Sequence, residues 1–394
     1  MTGGGTMNWT KKVHLKALTL LSAGLLTLSV WGAAAPVQAA AAPAGGSGDH
    51  GLLQQLQAKY LAAEETPLSF NDLAFLSADT GRAAGKGFMI GTSDGGGHFQ
   101  KIYEGQWNLR QISFPDNVHG WALASVQEQN GVYLIGTTDG GSTWTRISES
   151  QVGFERIAFT DSKHGFGYVR AFTYYTEDGG RSWSQIKTPA NTRGAEFTSR
   201  NNGWAVVVAP GEGYRVMKTT DGGATWKLAL KSPFAYPEYG QVYAKGDQVY
   251  ALLYGGSGMS QTSYSLYASG NQGKNWTRVI AQETAGGGPA PGSGSALLKK
   301  GPVSGRPANM QLAGSSTAFL AGYSPAGEQV AVGRTLNAGK QWSNLPAIAG
   351  YEARISFPDS KAGWMAVKDA DASFLYATQD GGMTWTEKFA FRGK

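Results

Sequence analysis

An all-β fold, a seven-bladed β-propeller of four-stranded blades, is predicted by three observations. A stretch written "TTDGGSTW" at residues 137–144 recurs along the chain. An apolar residue and, in most units, an aromatic stand seven positions apart upstream of each copy. The segments between are short, alternating and rich in β-branched and aromatic residues, as in "LRQISF", "GWALAS", "VYLIGT" and "TWTRIS". Four such strands in a unit of roughly 45 residues mark a propeller blade.

The chain begins with the features of an export signal. Lys11, Lys12 and Lys16 precede the apolar run "ALTLLSAGLLTLSVW", and "PVQAAAA" supplies small residues for a peptidase, with Ala39 the expected last residue removed. Removing 1–39 takes away three lysines and no acids, so the formal charge falls from +6 to +3. The basic balance is therefore mostly signal, which argues against a nucleic-acid surface. With Cys 0 there is no disulfide, thiolate metal site or cysteine nucleophile, so the core must hold an exported chain together.

Residues 40–67 read as a linker with a short amphipathic helix. In "HGLLQQLQAKYLAAEE" the side chains of Leu52, Leu53, Leu56, Tyr60 and Leu61 share one stripe, ended by Pro67. Its simplest role is to lie on the propeller, the domain assigned to 68–394.

Seven repeat units follow. Full copies of the turn begin at Thr137, Thr176, Thr219 and Thr378, and weaker ones at Thr92, Ser269 and Thr335. The upstream markers are Phe114 with Trp121, Phe159 with Phe166, Phe197 with Trp204, Tyr243 with Tyr250, Leu312 with Phe319, and Phe357 with Trp364. In the first unit Phe75 meets Arg82, so that unit reads as degenerate.

The Asp-Gly-Gly stretch falls between the third and fourth strands of each unit. Asp94, Asp139, Asp178, Asp221, Asn271, Asn337 and Asp380 are expected to be structural. Each would accept hydrogen bonds from its own turn, while the glycines take positive φ. A metal loop needs several more carboxylates at alternate positions, and a phosphate loop needs a helix and a lysine after the glycines. His119 and His164 occupy a slot that elsewhere holds Asn202 or Ala362, so it is a turn position and no metal site is proposed. Residues 283–307, "ETAGGGPAPGSGSALLKKGPVSGRP", read as a mobile loop.

Loop lengths distinguish the two faces of the disc. Spacings are constant on the side of the 1–2 and 3–4 turns. On the other side the gap from second-strand aromatic to turn residue runs from 12 (Phe166 to Asp178) to 21 (Tyr250 to Asn271). Variable loops on a rigid scaffold are where binding resides. Arg110, Arg156, Arg193 and Arg354 sit three or four residues before their marker Phe, near the start of innermost strands. Phe234, Tyr236, Tyr239 and Tyr264 crowd neighbouring loops. Together they predict a cationic, aromatic-rimmed mouth for a peptide, a protein tail or an acidic glycan. The competing structural role for the arginines is internal pairing with Glu155, Glu196 and Glu352.

The turns resemble Asp-box (BNR) repeats, Ser/Thr-x-Asp-x-Gly-x-x-Trp. The whole unit, with "FPD…GW" ahead of "T.DGG.TW", resembles the photosystem II stability/assembly factor family of exported propellers over 68–391. That resemblance implies an exported, non-enzymatic protein that binds a protein or peptide partner, including a membrane protein. Asp boxes also occur in sialidases and other glycosidases, so a glycoside hydrolase or carbohydrate-binding propeller is the alternative. Against it, Arg146, Arg156 and Arg354 are each followed by Ile and then Ser or Ala, never the Pro of the sialidase motif. No catalysis, no cofactor, no nucleic acid and a monomer are the expectations.

Overall fold

The computed structural model describes residues 51–52, 54–56, 68–126, 131–148, 152–293, 300–303 and 305–392. The expected signal peptide, most of 40–67, and 294–299 and 304 of the Gly-rich stretch lie outside them.

The chain folds into six antiparallel sheets in chain order, spanning 70–146, 156–186, 192–233, 240–282, 306–349 and 352–392. Four are four-stranded. The first has six strands, and the fifth gains Ile348–Ala349 beside its four. This is an all-β six-bladed propeller, and the expectation of seven blades is corrected. The first two repeat units share one sheet through a continuous strand, Gln100–Ser113. Its first half pairs with Gly81–Thr92 and its second half with Gly120–Val126. Between other units the chain breaks at "KTPANTRG" or "KSPFAYPEYG". The corresponding "EGQWNLRQ" offers no proline and a single glycine, so pairing runs straight through.

The seven-residue spacing has a packing cause. It places the second-strand aromatic of one unit against the first-strand Phe of the next. Trp121 stacks on Phe159 with ring centroids 3.9 Å apart, Phe319 on Phe357 at 3.6 Å, and Phe166 on Phe197 at 5.5 Å. Trp364 stacks on Phe75 at 4.1 Å and thereby joins the last sheet to the first. Arg82 obeys the same rule without being aromatic. Its guanidinium lies 4.4 Å from the centroid of Phe114. Its Nε donates to Gly140 O at 2.9 Å, the counterpart of the Trp121 indole donating to Gly179 O at 2.8 Å.

The Asp-Gly-Gly turns share one hydrogen-bond pattern. Thr137 Oγ1 donates to Asp139 Oδ1 at 2.7 Å and accepts from Gly141 N at 3.0 Å. Asp139 Oδ1 accepts from Thr143 N at 2.9 Å, and Oδ2 accepts from the Thr143 hydroxyl at 2.6 Å. Asn271 and Asn337 keep the bond to the fourth following N–H, at 2.9 and 2.8 Å. One side-chain oxygen therefore suffices, which explains why Asn is tolerated. The first glycine slot requires positive φ; Gln272 and Ala338 occupy it at +58° and +56°. His119 and His164 each contact the aspartate of their own 1–2 turn, at 2.9 and 2.8 Å.

These carboxylates predict acid lability. Asp139, Asp178, Asp221 and Asp380 are held down at about 2 against an ordinary 3.8. At the last three, the hydroxyl of Ser182, Thr225 or Thr384 is the largest cause. At Asp139 desolvation is the largest influence and pulls upward, but the Thr143 and Thr137 bonds outweigh it. Between pH 4 and 2 the unfolded chain takes up protons that the folded chain refuses. Stability is therefore retained above pH 4 and lost on acidification through that window. Melting temperature should be nearly flat from pH 7 to 5 and fall from pH 4 to 2; no fall there contradicts the assignment.

Elsewhere, Leu52 and 54–56 are helical, and Leu52 and Leu56 are buried among Phe88, Leu375 and Phe391 of the first and last sheets. In the Gly-rich stretch, Ser263 Oγ donates to Gly288 O and Ser265 Oγ to Pro291 O, both at 2.5 Å. These bonds lay 283–293 along the strand Thr262–Ser269, which is buried throughout.

Candidate functional site

The innermost strands enclose a central channel, a cavity of about 1350 Å³. Three features of those strands decide what faces it.

First, the residue three before each marker turns inward and ties its strand to the next unit. Gln111 exchanges two bonds with the backbone of Ile157, at 3.0 and 2.9 Å, and Asn309 does the same with Ile355 at 2.8 and 2.9 Å. Asp72 accepts from Ile112 N at 3.0 Å. At Gly194 the slot is empty because the strands approach too closely. An added Cβ would lie 2.0 Å from Gly240 O.

Second, irregular pairing re-aims the residue four before the marker. Strand register shifts between Leu109 and Gln111 and between Thr192 and Gly194, so Arg110 and Arg193 line the channel. The same irregularity between Phe70 and Asp72 presents Asn71, which bonds Asn108 Oδ1 at 2.9 Å.

Third, one unit is slipped by a residue. Tyr243 pairs with Tyr250, whereas Glu196 pairs with Trp204 and Ser356 with Trp364. Structurally, Tyr243 therefore takes the position before the marker. The cause is a tight hairpin, in which Lys245 pairs Gln248 around Gly246 and Asp247, with Gly246 at φ +59°. A slip of one exchanges the two faces of a strand, and Tyr243 becomes a channel residue. Its hydroxyl donates to Gln241 Oε1 at 2.6 Å.

All four candidate arginines line the channel, but they differ. Arg156 Nη2 donates to Glu196 Oε2 at 2.7 Å and to Ala195 O at 2.9 Å, and its guanidinium covers the Tyr168 ring at 3.8 Å. Burial pulls this guanidinium down, but Glu196 and Tyr168 outweigh it and hold it charged; burial pushes the Glu196 carboxyl up against the pull of Arg156. Arg354 lies 3.6 Å from Asp72. Among the described residues, Arg110 donates to Ser125 Oγ at 3.2 Å and Arg193 to Thr192 O at 2.9 Å. Among the described residues neither makes an ion pair. Glu155 and Glu352 line the channel too.

Of the four aromatic candidates only Tyr239 lines it, with its ring 5.2 Å from that of Tyr254. Tyr264 is fully buried on a third strand, Phe234 packs in the core between the third and fourth sheets, and Tyr236 is 81% exposed on a loop. Tyr168, Tyr243, Tyr254 and Tyr323 line the channel and were not anticipated. The readable signal for Tyr243 was the "KGDQ" turn, one residue tighter than its counterparts.

The architecture defines a β-propeller with a basic, tyrosine-walled central channel, seven basic against four acidic side chains on its lining. No protein-family model matches the chain, and no curated protein does. Solved structures do. YCF48 from Cyanidioschyzon merolae is 14% identical over 80% of this chain and 97% of its own, with a TM-score of 0.51. A prolyl endopeptidase is 11% identical over 86% of this chain and 52% of its own, at 0.52. YCF48 bound to a D1 peptide is 15% identical over 80% and 90%, at 0.49. At such identities the likeness is one of fold.

Proposed function

We propose that this is an exported, non-enzymatic propeller whose central channel binds an anionic segment of a protein or peptide partner, in the manner of an assembly factor. The observation that carries it is the state of Arg110 and Arg193. Strand irregularities aim both into the channel, and among the described residues no carboxylate neutralises either. Arg110 is exposed and Arg193 half-buried, and cations on a channel wall with no carboxylate beside them favour an anionic ligand. Two of the four channel carboxylates, Glu196 and Asp72, are engaged with Arg156 and Arg354, which leaves only Glu155 and Glu352 for carboxylate-pair hydrolysis and supports binding over it. The resemblance to photosystem II assembly factors points the same way, and a membrane-protein partner fits an exported chain.

The test is a pull-down from the native envelope fraction, followed by affinity measurements on the recovered partner. Changing Arg110 and Arg193 to Gln should weaken binding roughly tenfold and flatten its dependence on salt. Changing Lys163 and Lys361, in the 1–2 turns of the opposite face, should do neither. The reading is lost if the lysine variant weakens binding while the arginine variant binds normally.

A further inference from the structure

We infer that the channel selects partners with a ring: the bound segment presents a proline or an aromatic side chain next to its acidic group. This rests on the peptide-binding reading above and adds its specificity.

The two halves of the channel wall differ in chemistry. The unmatched arginines, Arg110 and Arg193, come from the first and third sheets. Tyr239, Tyr243 and Tyr254 come from the fourth sheet and its leading loop, and Tyr323 from the fifth. Tyr239 and Tyr254 are half-buried and tilted by 45° to each other, so each keeps ring surface for another ring to cover. Tyr243 is pinned through its hydroxyl by Gln241. Tyr168 is not available, because the Arg156 guanidinium already covers it. Rings held in place offer stacking surface at little entropic cost, and a prolyl segment adds little of its own.

The same lining argues against a sugar chain. Amide side chains commonly read sugar hydroxyls, and here most of those on the lining are spent on the protein. Gln111 and Asn309 each exchange two bonds with the backbone of the next unit, Asn71 donates to Asn108 and Leu109, and Gln241 accepts from Tyr243. What stays open is mainly cationic and aromatic, with Glu155, Glu352 and Gln311 beside it. The volume, about 1350 Å³, exceeds that of an ordinary small-molecule pocket and admits several residues of a chain.

The experiment is a selection of random displayed dodecapeptides on the purified full chain, with an array of sialylated and sulfated oligosaccharides in parallel. Enriched peptides should carry Asp or Glu close to Pro, Tyr, Phe or Trp. Against a synthetic consensus peptide, Tyr239→Leu should weaken binding about five- to tenfold and Tyr239→Phe should keep it. Replacing the peptide's ring by Leu should cost a similar factor, with the two losses non-additive. Melting curves of both variants establish that they are folded. Enrichment of acidic peptides without rings, or undiminished binding by Tyr239→Leu, overturns the ring requirement and leaves peptide binding standing. No peptide enrichment, with or without retention on the oligosaccharide array, overturns both.

Discussion

Leu56→Ala is expected to lower the stability of the folded chain by about 2–5 kcal/mol, the range for emptying a buried leucine site that cannot fully collapse. Leu56 is 1% exposed, although it stands on a short helix outside the repeat units. Its neighbours in the core come from both ends of the ring, including Leu73 and Phe88 of the first sheet and Trp364 and Phe391 of the last. Every sheet is built from one contiguous length of chain, so the first and last sheets share no strand. Side chains bridge them instead. Phe75 stacks on Trp364, Phe75 N donates to Ser356 Oγ at 3.0 Å, and Arg354 faces Asp72. The helix covers this joint with Leu52 and Leu56. Denaturant unfolding measures the loss. Hydrogen exchange should quicken at Phe70–Phe75 and Gly363–Lys368 before it does in the third sheet. An unchanged midpoint with unchanged exchange would falsify the clasp.

Arg82→Ala is expected to cost about 2–4 kcal/mol, and Arg82→Trp far less, within about 1 kcal/mol of the parent. Arg82 is 6% exposed. Truncation removes the cover over Phe114, strands the buried acceptor Gly140 O, and breaks a part-buried bond to Asn117 O at 2.5 Å. Tryptophan restores the stack and one donor, as Trp121 does for Phe159 and Gly179. It also removes a buried charge, whose guanidinium is pulled down chiefly by desolvation and supported by Asp116. Equal losses for Ala and Trp would refute the equivalence.

Arg82 shows how far the sequence could be read. The repeat frame is legible because spacing and turn chemistry are local, and that frame puts the four arginines on innermost strands, where they line the channel. The first unit looks degenerate because the pattern asks for an aromatic, whereas the packing asks only for a flat group, which a phenylalanine, a tryptophan or a guanidinium supplies. The number of sheets was not legible. Whether Gln100–Ser113 breaks or continues depends on its partners on both sides, which lie elsewhere in the chain. The aromatic wall was only partly legible. Tyr264 sits on a third strand, too far from the axis, and Tyr243 reached the channel through a slip of one residue that a seven-residue count conceals. The sequence allows every channel arginine to pair with a neighbouring glutamate, and only three-dimensional neighbours separate Arg156, paired with Glu196, from Arg110 and Arg193.

Sheets built from contiguous chain have a consequence for the origin of the ring. Phe70 and Phe391, at opposite ends of the propeller, pack with ring centroids 5.2 Å apart and a tilt of 33°, so the first and last strands of the ring meet at one place. Closure by side chains alone leaves no strand that must be threaded last. Topologically, then, the circle has no privileged first sheet: joining its ends and cutting at another exposed turn, such as that at Gly211, describes the same object. What fixes the present starting point is the clasp, since the helix carrying Leu52 and Leu56 has a surface to cover at one seam only.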